Sequence, residues 1–273
     1  MKKIIKTSFP WCYGVLKRLY NSTPYYIKRI NKVKGSTNIR ITEENKILTE
    51  IFEDQCIVRN GPFKGMQYIK RSSGSALLPK ILGSYEEPIQ EWICEVIEAK
   101  KCSNILDIGC AEGYYAVGFA MRMPDTHITA YDIDEEAIRN INELAIANHI
   151  INIEIKAECT HEELNSKCGA NTLVFCDVEG FEEILLDPVK APNLKYADII
   201  VESHDFIVPN ITNELIDRFY MTHTIRIRVD YPGRFKEYNT PKKATNEQYR
   251  RIINELRPKK MKWIYLKSIN AKI

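Results

Sequence analysis

Carboxylates and a histidine recur in this chain just where apolar runs end. Asp107 lies in NILDI ahead of the turn GCAEG (109–113), and Asp132 follows HITAY. Asp177 and Glu179 follow TLVFC, and Glu202, His204 and Asp205 lie in VESHD. A turn of small residues between an apolar run and a helix presents backbone N–H groups and the positive end of a helix dipole. That chemistry suits a phosphate, a carboxylate or a ribose equally.

Three details narrow the ligand. The dinucleotide pattern G-x-G-x-x-G fails: counted from Gly109, its second slot is Ala111 and its third is Tyr114, too large for close helix–strand packing. Asp107 stands two residues before Gly109, where an acid repels phosphate and accepts from an ammonium group. Asp132 comes nineteen residues after Gly113, at the end of the next run, where a carboxylate accepts from both ribose hydroxyls. Ile133 beside it is placed to flank a purine ring. A nucleoside with an amino-acid tail and no phosphate matches all three, and S-adenosylmethionine is such a molecule.

The second group of residues suits proton handling. Transfer to a hydroxyl needs alignment and a place for the proton. His204, with an ordinary pKa near 6.5, is the first candidate, and His223, just before a later apolar run, is the second. Asp177, Glu202 and His204 are also types that ligate divalent metals, but no spacing demands a metal, and none is expected.

The elements that must position these groups alternate. Strand-like runs at 104–108, 127–133, 151–157, 172–178 and 197–203 are separated by helical stretches at Tyr114–Arg122, Glu135–Asn148 and Phe181–Leu186. A helix over Glu87–Lys100 precedes them, with Trp92, Ile93, Val96 and Ile97 at helical spacing. This predicts an α/β fold with a doubly wound, mostly parallel seven-stranded sheet. Its last two strands, 222–230 and 261–267, form an antiparallel C-terminal hairpin edge, with a helix around 245–256 between them. Residues 56–70 read as two short strands around Gly61-Pro62. The domain reading is a basic aromatic arm (1–45), a strand/loop extension (46–80) and a ligand-binding domain (81–273).

Charge is unevenly spread. Of the 39 Lys and Arg, ten lie in residues 1–42, which contain no Asp or Glu; the other 29 face 36 acidic residues, a net of −7. Aromatics mixed with those basic residues suit an anionic membrane surface or a phosphate-bearing partner. The chain has no apolar run of the ~20 residues that span a bilayer and no signal-peptide pattern. Its eight cysteines show no CxxC spacing, so neither a disulfide framework nor a zinc site is expected. These features predict a cytoplasmic protein, peripheral to the inner face of a membrane if the arm binds there.

The run LDIGCAEGYYAVGFA, followed in order by YDIDEEA, CDVEGFE and VESHD, resembles class I S-adenosylmethionine-dependent methyltransferases. The last two elements resemble the FkbM-type branch, many members of which methylate hydroxyls on sugars or natural products. The resemblance covers roughly residues 80–230 and implies a Rossmann-like methyltransferase fold. It further implies that Asp107, Gly109, Cys110, Ala111 and Gly113 surround the methionine part, and that Asp132 and Ile133 hold ribose and adenine. Glu158 is then expected near the adenine, Asp177 near the reactive methyl, and Tyr85 with Glu86 over the methionine end. Alanine at 111, where many members have glycine, is tolerable with a negative φ. The expected acceptor is a sugar, glycan or related hydroxyl compound. Nucleic-acid methylation is disfavoured by the acidic CDVEG and the absence of an NPPY-like segment, and a non-catalytic cofactor-binding partner protein is the third reading.

Overall fold

The computed structural model describes residues 42–230, 237–257 and 259–270. The chain divides into two compact units, residues 1–50 and 51–273. In the first, the described residues 42–50 are helical, and the arm expected at 1–45 lies almost wholly outside the described residues. All that follows concerns the second unit.

Its sheet has seven strands in the order β3-β2-β1-β4-β5-β7-β6. The strands are β1 (Asn104–Ile108), β2 (His127–Tyr131), β3 (Ile153–Lys156), β4 (Thr172–Cys176), β5 (Asp198–Ser203), β6 (His223–Asp230) and β7 (Met261–Ser268). β1 to β5 pair in parallel, and β7 runs antiparallel between β5 and β6. The doubly wound Rossmann-like sheet with an antiparallel edge is therefore the architecture adopted.

Parallel strands need crossovers, and the helices supply them on both faces. α1 (Leu77–Leu82) and α2 (Gln90–Ala99) precede the sheet. α3 (Tyr114–Arg122), α4 (Glu135–Ala147), α5 (His161–Lys167), α6 (Glu182–Leu185) and α7 (Ile211–Phe219) follow successive strands, and α8 (Asn246–Ile252) precedes β7. Local chemistry fixes several starts: Asp134 caps α4 by accepting from Glu136 N–H, Thr160 caps α5, and Thr245 with Gln248 forms a capping box on α8. Every residue of β4 is buried, as in a strand covered on both faces. Each fully buried Leu, Ile or Val there contributes about 1.5–3 kcal/mol over an exposed one.

The segment before α1 departs from expectation. Residues 56–70 make a single antiparallel bridge, Ile57 to Gln67, rather than two strands. Phe63 from this segment packs edge-on against Tyr114, Tyr115 and Phe119 of α3, so its side chains anchor it more than a ladder does. Among the described residues, no helix is long and apolar enough to cross a membrane.

Candidate active site

β1 is the switch point: chain order runs outward from it to β2 and β3 on one side, and to β4 and β5 on the other. Ligands bind outside the carboxyl ends of strands at such a point. A cavity of about 640 Å³ opens there, walled by the loops after β1 to β5 together with residues 73–75, 85–86 and 255–257. Tyr85, Glu86, Asp107, Gly109, Cys110, Ala111, Asp132, Ile133, Glu158, Asp177 and His204 all line it.

Asp107 stands at the floor, with 2% of its surface exposed. Its Oδ2 is buried with no hydrogen-bond partner. Burial pushes the carboxyl up to about 8, against an N–H bond from Ala116 and assisted by Asp177, Asp132 and Glu86. An orphaned carboxyl oxygen facing a cavity is suited to a cationic ligand.

Asp132 bridges two loops. Its Oδ2 accepts from Ala111 N–H at 2.8 Å and its Oδ1 from Asp134 N–H at 2.9 Å. Each oxygen keeps a second lone pair for a ligand hydroxyl. Ala111 corrects an expectation: its φ is +48°, not negative. A left-handed alanine costs about 1–2 kcal/mol, and the bond to Asp132 helps hold it. Glu86, Glu179 and Leu256, also on the cavity wall, have left-handed φ values of 49°, 51° and 59°. Strain of this kind gathers at functional sites.

Gly109 and Gly113 serve different ends. A Cβ on Gly109 would lie 1.8 Å from the Asp177 carbonyl oxygen, so glycine lets the β4 loop cross the turn. At Gly113 a Cβ would meet the Ile141 side chain at 2.5 Å. Gly113 therefore brings α4 close and does not line the cavity. Tyr114, in the slot where a dinucleotide fold wants a small residue, turns its ring toward Phe63, Tyr68 and Tyr85.

His204, also on the cavity wall and fully buried, shares its Nδ1 with Glu182 Oε1 at 2.8 Å. Its Nε2 faces Asp177, Glu179 and Glu202, each with one oxygen at 3.5 Å. Burial lowers the His204 pKa, but Glu182, Asp177 and Glu179 outweigh it, and the net shift is upward. Burial raises the Asp177 and Glu202 carboxyls. His223 does not join this group. It begins β6 opposite Ser268, whose N–H in turn bonds Asp198 at the start of β5, so it lies at the amino end of the sheet. There its Nε2 bonds the Ala197 carbonyl and its Nδ1 meets Thr222 Oγ1. Burial lowers its pKa. The expectation of a second histidine at the site is not met.

Several residues of the wall were not singled out from the sequence. Glu182 orients His204 from the first turn of α6. Arg257 reaches Glu202 at 2.5 Å, Glu86 at 2.7 Å, Asp230 at 2.8 Å and Glu255 at 3.0 Å, which fastens the segment before β7 to the cavity. Lys80 bonds Glu112, Ser72 and Ser75, and Glu112 also accepts from Tyr68 OH and Ser73 N–H. Lys80 over-balances the cost of burying Glu112, and the carboxyl stays below its usual range. Exposed Phe181 and Phe206 stand on the wall beside His204. Only the acidic FEE after DVEG signalled Glu182; Arg257 and Lys80 carried no local signal.

Residues 99–207, which hold β1 to β5 and their loops, match the family model described as a methyltransferase domain. The match marks this segment, which carries the Rossmann-like strands and the cavity loops, as a methyltransferase domain. The chain is thus an enzyme with a methyltransferase domain, and S-adenosylmethionine is its cofactor. No curated protein sequence matches the chain. Among solved structures, it resembles WbdD (16% identity, TM-score 0.46, covering 69% of this chain and 41% of that one). It also resembles an rRNA methylase from Streptococcus thermophilus (13%, 0.45, 67% and 98%). A third is the O-methyltransferase TomG from Streptomyces achromogenes, involved in tomaymycin synthesis and solved with the cofactor (10%, 0.43, 65% and 79%).

Proposed function

We propose that this enzyme methylates a hydroxyl group of a sugar, glycan or related acceptor, and that it belongs to the FkbM-like branch its DVEGFE and VESHD motifs resemble. The observation that carries this reading is the buried, unpartnered Nε2 of His204 facing the cavity beside Asp177. The residues present fit the cofactor: the orphaned oxygen of Asp107 suits its ammonium, and Asp132 with Ile133 suits its ribose and adenine. Bound there, S-adenosylmethionine supplies an electrophilic methyl group on a sulfonium centre.

The chain's own residues then divide the work. Asp107 and Asp132 hold and orient the cofactor, and Glu86, tied to Tyr115 and Arg257, stiffens the wall over its methionine end. Glu182 fixes the His204 ring, and the upward shift of the His204 pKa makes it a stronger proton acceptor for the hydroxyl. Asp177, Glu179 and Glu202 offer acceptors for the neighbouring hydroxyls of a polyol. Phe181 and Phe206 offer apolar faces to the C–H side of a sugar ring. This acidic lining repels a polyanion, which weighs against nucleic acid as acceptor. The basic aromatic residues 1–42 lie outside the described residues except Thr42; in this reading they hold the enzyme at the inner, cytoplasmic face of a membrane, near a lipid-borne glycan acceptor.

The test supplies cofactor carrying a labelled methyl group to the enzyme with fractionated cell extract. Label in base-labile-resistant ethers of glycan or glycolipid supports the reading. Label confined to nucleic acid or protein overturns it.

A further inference from the structure

We propose that His204, Asp177 and Glu179 form a binding site for a divalent metal ion of the manganese type, open to the cavity. Because Glu182 Oε1 already accepts from Val178 N–H at 3.1 Å, and an ionised carboxylate can only accept, the His204 Nδ1 carries the hydrogen of their 2.8 Å bond. The Nε2 lone pair is then directed at Asp177 and Glu179. A carboxylate holding the far nitrogen of an imidazole is the usual support of a metal-ligating histidine.

The spacing supports a bridging ion over a hydrogen bond. Three carboxylate oxygens surround Nε2 at 3.5 Å, and none approaches hydrogen-bonding distance. Both Nε2 and Asp177 Oδ1 are buried without a partner, on a histidine side chain that is 1% exposed. Neighbouring ligands on one ion stand about 3.0 Å apart in octahedral geometry at a 2.1 Å bond, and about 3.3 Å apart in tetrahedral geometry. The two distances from Nε2 are thus a few tenths of an ångström too long for shared ligation. The three donors all lie within 4.8 Å of one another, and the Glu179 side chain is exposed and free to adjust.

A second acidic group, Glu86, Asp177 and Glu202, competes for the assignment. Arg257 already bonds both Glu86 and Glu202, and that group lacks the imidazole ligand that the His204 group supplies. One imidazole with two carboxylates favours manganese, iron or zinc over calcium, which takes oxygen ligands alone.

This inference rests on the hydroxyl-methylation reading for its chemistry. An acceptor hydroxyl on the ion ionises more readily. Its O–H bond would break, the oxygen would stay on the ion, and the proton would leave to solvent through the open cavity rather than to His204, whose Nε2 the ion would occupy. His204 is then a ligand, and the raised basicity of the cluster is spent on the ion.

The full-length enzyme, stripped with a chelator, is titrated with Mn²⁺ and followed by calorimetry and by loss of the free-ion paramagnetic resonance signal. One site per chain is expected. Glu179→Gln, at an exposed position, weakens it at least tenfold, and His204→Gln abolishes it. Cofactor affinity, measured on the same samples, reports that the site is intact. Absence of Mn²⁺, Zn²⁺ and Mg²⁺ binding at millimolar concentration in protein that binds cofactor overturns the proposal, as does binding untouched by both substitutions. Methyl transfer to a hydroxyl that is unchanged by chelation also overturns it and leaves the function standing. A tightly bound ion with no transfer to any hydroxyl supports the site and counts against the function.

Discussion

Two ionic clusters back onto the same cavity, and they differ in whether their atoms are used up. In the first, Lys80 spends its donors on Glu112, Ser72 and Ser75, and Glu112 accepts from Lys80, Tyr68, Ser72 and Ser73. In the second, His204 Nε2 and Asp177 Oδ1 are buried without partners. Burial is equally deep: the Lys80, Glu112 and His204 side chains are 3%, 0% and 1% exposed. The closed cluster holds the 72–75 loop in place. The open one keeps its unsatisfied atoms for a ligand, since an orphaned buried polar atom otherwise costs about 1–3 kcal/mol.

The sharpest way to break this contrast is His204→Ala. Loss of a group that handles the acceptor proton lowers turnover by about 10²–10⁴, while cofactor affinity stays within a few fold. Steady-state kinetics beside a cofactor titration reads both. A drop in affinity that matches the drop in rate would make His204 a structural residue like Lys80.

Glu112→Ala tests the closed cluster. It leaves the buried Lys80 ammonium without its counter-charge, which costs about 3–5 kcal/mol of folding stability. Urea denaturation followed by circular dichroism measures it. A loss under 1 kcal/mol would mean that the network is ornamental.

Asp132→Ala is expected to be milder. A charged hydrogen bond to ribose is worth roughly 1.5–3 kcal/mol, so cofactor affinity falls about tenfold to a hundredfold. Part of that loss reflects release of Ala111 N–H. Asp132→Asn keeps an acceptor oxygen and sharpens the test by losing less. Unchanged affinity in both would remove the ribose assignment.

How far the sequence carried these assignments depends on the kind of residue. The parallel strands and α3 were legible because continuous apolar runs and helical spacing are local properties. α7 went unread although Asn210 precedes it and Ile211, Leu215 and Phe219 recur every four residues, because polar residues fill every position between these three except Ile216. Asp107, Asp132, Asp177 and His204 were legible because each stands at or just after a strand's carboxyl end. His223 misled for the same reason inverted: a residue just before a strand that runs parallel to β5 falls at the amino end of the sheet. Arg257 and Lys80 reach the cavity through long side chains from segments remote in sequence, so no spacing could announce them.

The central claim is that the cofactor's ammonium sits on Asp107, and its most direct test is calorimetric titration of S-adenosylmethionine across pH. Asp107 faces Asp177, Asp132 and Glu86, and its carboxyl is raised to about 8. An ammonium binds the ionised form, so binding must release a proton wherever the free enzyme holds one. Affinity should rise about tenfold per pH unit as pH approaches 8 and level off above it. The measured heat should vary with the buffer's ionisation enthalpy in proportion to one proton released. Affinity that is flat between pH 6 and pH 8, with no proton released, would contradict the account.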